Sequence, residues 1–126
     1  MSPPSVLVVD DDVGTVETLA DILGTRAYRV TPAYSGEEAV ARARAARYDA
    51  IVMDIRMPGL DGVEALREIR RGAPATRVIM MTAFTRSELI EAAKAATAVA
   101  VLPKPLDVDR LLGLLAEITG APEGLR

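Results

Sequence analysis

The chain has 126 residues, half of them hydrophobic and only 3% aromatic, with a formal net charge of −3. That is the size of one domain whose core Val, Leu, Ile, Met and Ala must build, and the acidic balance argues against direct nucleic-acid binding. Cys and His are both absent, which excludes disulfides, zinc–thiolate centres, thiol nucleophiles and imidazole bases.

Short apolar runs punctuate the chain. The first, Val6–Val9, leads straight into three adjacent carboxylates, Asp10, Asp11 and Asp12. Its unbroken apolar character suits a strand buried on both faces, and Asp12 is placed to cap the helix that follows. The segment "YRVT", Tyr28–Thr31, alternates more and reads as a strand near a sheet edge. "SGEEAVARARAA" opens a helix with Ser35 and Glu38 at capping-box spacing. Ala50–Met53 reads as the third strand and delivers Asp54. Beyond it, "MPGLDG" puts Pro58 and Gly59 where a type II turn wants them. "DGVEALREIRR" starts a helix on a second box pair, Asp61 and Glu64. Val78–Met81 reads as the fourth strand and is followed by Thr82. "TRSELIEAAKAA" then carries Thr85 and Glu88 in the same arrangement. Val99–Leu102 reads as the fifth strand, followed by Lys104 between two prolines. The last helix, "DVDRLLGLLAEITG", is capped by Asp107 and stops near Gly120.

This fivefold β-α alternation predicts an α/β protein. The expected architecture is a doubly wound (βα)5 fold with a parallel five-stranded sheet, and the flavodoxin-like order 2-1-3-4-5 is the one taken, because it would make the first and third strands neighbours at the switch point. One domain is expected over residues 5–119, with 120–126 a C-terminal tail or the start of a linker. The N-terminal "MSPPS" has no basic-then-apolar signal pattern, and no apolar run approaches membrane-spanning length. A cytoplasmic protein without membrane contact is therefore expected.

Ligands of doubly wound sheets bind beyond the carboxyl ends of the strands, where strand order switches. The polar residues that follow the apolar runs there are Asp10, Asp11, Asp54, Thr82 and Lys104. Carboxylates a few ångströms apart either rise in pKa or share a cation. Without His or Cys, Mg²⁺ is the natural candidate, with a phosphoryl group completing its ligands. Of the 15 basic residues only Lys94 and Lys104 are lysines, and a compact ammonium at position 104 is a different tool from an Arg fork.

The motif set "VLVVDDD", "IVMDIRMPGLDG", "MMTAF" and "LPKPL" resembles the receiver domain of two-component response regulators, over Ser5 to about Thr119. The resemblance implies that Asp54 is the phosphoacceptor, taking a phosphoryl group from a phosphohistidine on a sensor histidine kinase or phosphotransfer protein. It implies that Asp10 and Asp11, with Asp54 and the Arg56 backbone carbonyl, bind Mg²⁺. Thr82 would hydrogen-bond the phosphoryl oxygens and Lys104 would pair with them. It also implies a cis Lys104–Pro105 peptide, autophosphorylation from small donors, slow autodephosphorylation and an output domain or partner of unknown kind. The switching surface would comprise the segment after strand four, helix four and strand five, including "AATAVAVL". Two positions depart from the family pattern. Thr97-Ala98 stands where Gly-Ala is usual, and Val101 stands where many receivers carry an aromatic ring that swings inward. A dimer through helices four and five is not expected from the charge pattern. Arg56 and Phe84 are candidates for covering the phosphoryl group against water.

A reading from another class is a small phosphatase. "VLVVDDDVGT" is similar to the first motif of the haloacid dehalogenase superfamily, which would make Asp10 the nucleophile and Asp12 the acid/base. The chain is short for such an enzyme, and it lacks a late paired-acid motif outside a helical pattern.

Overall fold

The computed structural model describes residues 3–83 and 87–120. Elements alternate strictly: β1 (Ser5–Val9), α1 (Val13–Thr25), β2 (Arg29–Ala33), α2 (Gly36–Ala45), β3 (Ala50–Asp54), α3 (Gly62–Gly72), β4 (Arg77–Thr82), α4 (Ser87–Ala95), β5 (Ala100–Pro103) and α5 (Val108–Thr119). The strands form one parallel sheet in the order β2-β1-β3-β4-β5, which is the predicted fold. Period-two alternation along the strands divides the core between the two faces of the sheet. Leu7, Val9, Ile51, Met53, Val78 and Met80 pack with α2, α3 and α4. Val6, Val8, Val52, Ile79, Met81 and Leu102 pack with α1 and α5. Buried on both faces, the three central strands need the continuous apolar runs seen in the sequence. Among the described residues no helix is long and apolar enough to cross a membrane.

The differences from the sequence reading sit at edges and caps. β2 begins one residue later than expected, at Arg29, and continues through Pro32 to Ala33. Tyr28 gives its N–H to the Leu23 carbonyl at the end of α1 rather than to the ladder. Pro32 is tolerated because β2 is an edge strand. β5 likewise begins at Ala100. Asp12 occupies the N-cap position of α1, but its side chain caps no backbone N–H and instead accepts the Thr15 hydroxyl at 2.6 Å. Ser35 accepts from the Glu38 N–H at 3.0 Å. The return arm of that box is missing, because Glu38 reaches one residue further back to the Tyr34 N–H at 2.8 Å. The Asp61–Glu64 box closes in both directions, and Asp107 caps α5 through the Arg110 N–H. The Thr85 cap, Phe84 and the 121–126 tail lie outside the described residues.

Candidate functional site

β1 and β3 are adjacent, yet the helices that follow them leave to opposite faces of the sheet. A crevice therefore opens at their carboxyl ends. Asp10 directly follows β1, and its N–H donates to the Ala33 carbonyl at 3.2 Å, tying that end to β2. Asp54 is the last residue of β3, in register with Met81. Thr82 ends β4, and its carbonyl accepts the Lys104 N–H at 2.8 Å. Lys104 follows β5, and the Lys104–Pro105 peptide is cis, as the resemblance implied.

The chain turns sharply after Asp54. Gly59 adopts a φ of 75°, which a type II turn requires at its third position and Gly supplies without steric cost. The Gly62 N–H then donates to the Ile55 carbonyl at 2.7 Å. α3 starts so close to β3 that a Cβ on Gly62 would lie 2.2 Å from the Asp54 carbonyl oxygen and 2.9 Å from Ile55 Cα. Only a residue without a side chain fits there, and the Asp54 backbone is packed directly against the start of α3. A Gly after an N-cap Asp reads in sequence merely as a helix start, so this role was not legible beforehand.

Among the described residues the buried polar or charged side chains are Asp10, Asp54 and Thr82, exposed by 1%, 6% and 3%. All three lie at this one end of the sheet. The Lys104 ammonium bridges the two acids, with Nζ 2.7 Å from Asp10 Oδ2 and 3.2 Å from Asp54 Oδ2. Asp11 is exposed, but its carboxylate belongs to the same group: ligand oxygens of Asp10, Asp11 and Asp54 all lie within 4.8 Å of one another. Two backbone amides complete the polar lining. The Asp12 N–H donates to Asp10 Oδ1 at 3.0 Å, and the Arg56 N–H donates to the Asp54 carboxylate. Of the Arg56 backbone the sequence reading assigns the carbonyl alone, and nothing in the residue type distinguishes the amide.

Burial raises the Asp54 pKa above the usual carboxylate value, and the neighbouring Asp10 charge raises it further. The Lys104 charge, its hydrogen bond and the Arg56 N–H offset this in part. Burial alone would pull Lys104 down, but its hydrogen bond to Asp10 and the charges of Asp54 and Asp10 outweigh that and hold it above the ordinary lysine value. Three carboxylates against one ammonium leave a negative excess. The donor set is all oxygen, hard and closely spaced, which fits Mg²⁺ and not a thiolate- or imidazole-seeking metal.

Beside Lys104 a groove of about 450 Å³ opens between α1 and the start of α5, lined by Thr15, Leu19, Ile22, Leu106 and Val108. Arg56 is exposed next to the site. Val101 is half-buried and packs against the α3–α4 side of the core. Asp12, the acid/base of the phosphatase reading, is exposed and engaged with Thr15, while Asp10 is buried under Lys104.

The sequence profile described as the response regulator receiver domain matches residues 6–116. Over 108 residues, 86% of the chain, it is 43% identical to a response regulator receiver protein of Anaeromyxobacter sp. strain Fw109-5, spanning 45% of that relative. It is 42% identical over 106 residues, 84% of the chain, to the transcriptional regulatory protein ZraR of Salmonella typhimurium, spanning 24% of it. The chain thus spans less than half the length of these curated relatives. Among solved structures, the Vibrio cholerae chemotaxis protein CheY4 superposes with a TM-score of 0.85 at 32% identity, covering 92% of this chain and 98% of that one.

Proposed function

Because the chain belongs to the response regulator receiver domain family of two-component signalling, we propose that Asp54 is its phosphoacceptor and that phosphorylation makes it a conformational switch. The observation that carries this reading is the Lys104 ammonium bridging Asp10 and Asp54 inside a cluster of three carboxylates.

An Asp54 carboxylate oxygen attacks the phosphorus of a phosphohistidine on a sensor histidine kinase or phosphotransfer protein. The O–P bond forms as the P–N bond breaks, and the departing imidazole nitrogen keeps the electron pair. Burial and the Asp10 charge keep this carboxylate basic, which favours attack. Asp10, Asp11, Asp54 and the Arg56 carbonyl would hold Mg²⁺, which when bound neutralises phosphoryl charge. Lys104 supplies a second, permanent positive charge, and Thr82 offers a hydroxyl to the transferred oxygens. Phosphoryl transfer asks a protein chiefly for positioning and neutralisation, and these groups supply both. The groove between α1 and the start of α5 is a surface on which the donor protein can seat beside Lys104.

The same equipment accepts phosphoryl groups from small donors and releases them slowly to water, with Arg56 and Phe84 covering the acyl phosphate. The added charge recruits Thr82 and Lys104 and biases the segment after β4, α4 and β5 toward a second arrangement. An output domain or separate protein in the cytoplasm reads that change. The test is to incubate the protein with acetyl phosphate and Mg²⁺, reduce the acyl phosphate with borohydride and map it by peptide mass spectrometry. Modification at Asp54 supports this reading. Modification at Asp10, or none, would overturn it.

A further inference from the structure

α4 ends in a Schellman motif. The Thr97 N–H donates to the Lys94 carbonyl at 2.9 Å, and the Ala98 N–H to the Ala93 carbonyl at 3.1 Å. This places Thr97 at the left-handed position of the motif, with a φ of 69°. Gly is the usual occupant, and a β-branched residue at positive φ is a genuine outlier. Such backbone persists where its surroundings over-determine it.

Here the surroundings are Arg70, on α3. Its Nε donates to Thr97 Oγ1 at 2.9 Å and an Nη donates to the Thr97 carbonyl at 3.0 Å. The other Nη donates to the Thr76 carbonyl in the α3–β4 turn. The Thr97 hydroxyl in turn donates to the Ala96 carbonyl at 2.6 Å. One planar guanidinium therefore links a helix and two turns, a geometry that Lys cannot copy. Just beyond, the Val99 N–H donates to the Val78 carbonyl at 2.7 Å and starts the β4–β5 pairing.

We propose that Arg70 is a positioning residue that clamps the α4–β5 turn, so that α4 moves about a fixed carboxyl end when the segment after Thr82 rearranges. Thr97 is what the clamp grips. A Gly there would form the turn without strain but would give up the hydroxyl. The anchor stands on the geometry alone, while the pivoting rests on the receiver reading.

The test uses amide hydrogen exchange and NMR on the full chain. Arg70→Ala speeds exchange at Thr97, Ala98 and Val99 about tenfold, while β1 and β3 amides keep their protection. Arg70→Lys falls between. Replacing Thr97 by Gly leaves a folded turn, and in that background Arg70→Ala has less effect, because no strained residue remains to be held. With Mg²⁺ and beryllofluoride as a phosphoryl mimic, wild-type shift changes in α4 concentrate in its amino-terminal half, whereas in Arg70→Ala they extend through residues 93–101. Unchanged exchange at 97–99 in Arg70→Ala, or an equal effect of that change in both backgrounds, would overturn the clamp and leave the receiver reading standing. An unchanged beryllofluoride pattern in Arg70→Ala would overturn the pivot. A wild type that gives no beryllofluoride response at all would overturn the receiver reading and the pivot together.

Discussion

Gly62→Ala is the most informative single substitution outside the charged cluster. Helix propensity alone predicts stabilisation, since Ala outranks Gly by about 1 kcal/mol in a helix. The structure predicts the reverse. The new Cβ would meet the Asp54 carbonyl oxygen at 2.2 Å, Met80 Cε at 2.7 Å and Ile55 Cα at 2.9 Å. Met80 can swing its methyl aside, but the other two atoms are backbone. Restoring ordinary contact requires α3 and the end of β3 to part by roughly 1 Å, and overpacking of this kind costs about 1–3 kcal/mol. The displaced backbone is that of Asp54 itself, and a shift of that size in a reacting group costs up to about 10²-fold in rate. Urea denaturation measures the first effect, and the initial rate of Asp54 phosphorylation by acetyl phosphate measures the second. Gly24→Ala serves as the control: nothing lies within 4 Å of its Cβ, so it gains about 0.5–1 kcal/mol and keeps the wild-type rate. A Gly62→Ala variant as stable and as fast as wild type would refute the argument.

Two further outcomes follow from the cluster and a third from the proposed phosphoryl cover. Asp54 is held above its ordinary value of 3.8, so the folded state binds its proton more tightly than the unfolded chain, and stability present in acid is lost as pH rises through the folded value. Asp54→Asn should therefore raise Tm at neutral pH, with the gain vanishing below pH 3.8; calorimetry showing no gain at neutral pH would contradict this. Lys104 is held above 10.5, so its contribution is complete below that pH and is lost as pH rises through the folded value. Lys104→Ala strands two buried acids, but the lysine is 25% exposed, so solvent screens part of the effect. The expected cost is about 1–3 kcal/mol at neutral pH, with a flatter alkaline limb in denaturant titrations than wild type; an unchanged limb would rule this out. Finally, Arg56→Asn and Phe84→Ala should shorten the acyl-phosphate half-life, measured by loss of label after the donor is removed, and unchanged half-lives would remove both residues from the phosphoryl cover.

The parallel sheet and the gathering of these polar side chains at one end of it could be read in sequence for one reason. Central strands buried on both faces must be continuous apolar runs, and the first polar residue after each run must emerge at the same sheet edge. Asp10, Asp54 and Thr82 are those residues, and Lys104, which follows the edge strand β5, stands at the same end of the sheet. The misreadings have the opposite character. Glu38 caps Tyr34 rather than Ser35, and Asp12 turns to Thr15, because a carboxylate near a helix start has several amides and hydroxyls in reach and local spacing does not choose among them. Gly62 and Arg70 act on backbone brought close only by folding. Arg70 and Thr97 are 27 residues apart, and no periodicity links them. The departure at Thr97 was visible in the sequence, but the guanidinium that grips it was not.

The central claim is that two early acids, Asp54, Thr82 and Lys104 form one phosphoryl-binding centre around a hard cation. A crystal structure with Mg²⁺ and beryllofluoride tests it most directly. The account predicts beryllium bonded to an Asp54 carboxylate oxygen, the metal on Asp10 and Asp11, and Lys104 Nζ and Thr82 Oγ1 on the fluorines. Beryllofluoride on another residue, or a cation that leaves Asp10 and Asp11 unliganded, would contradict it.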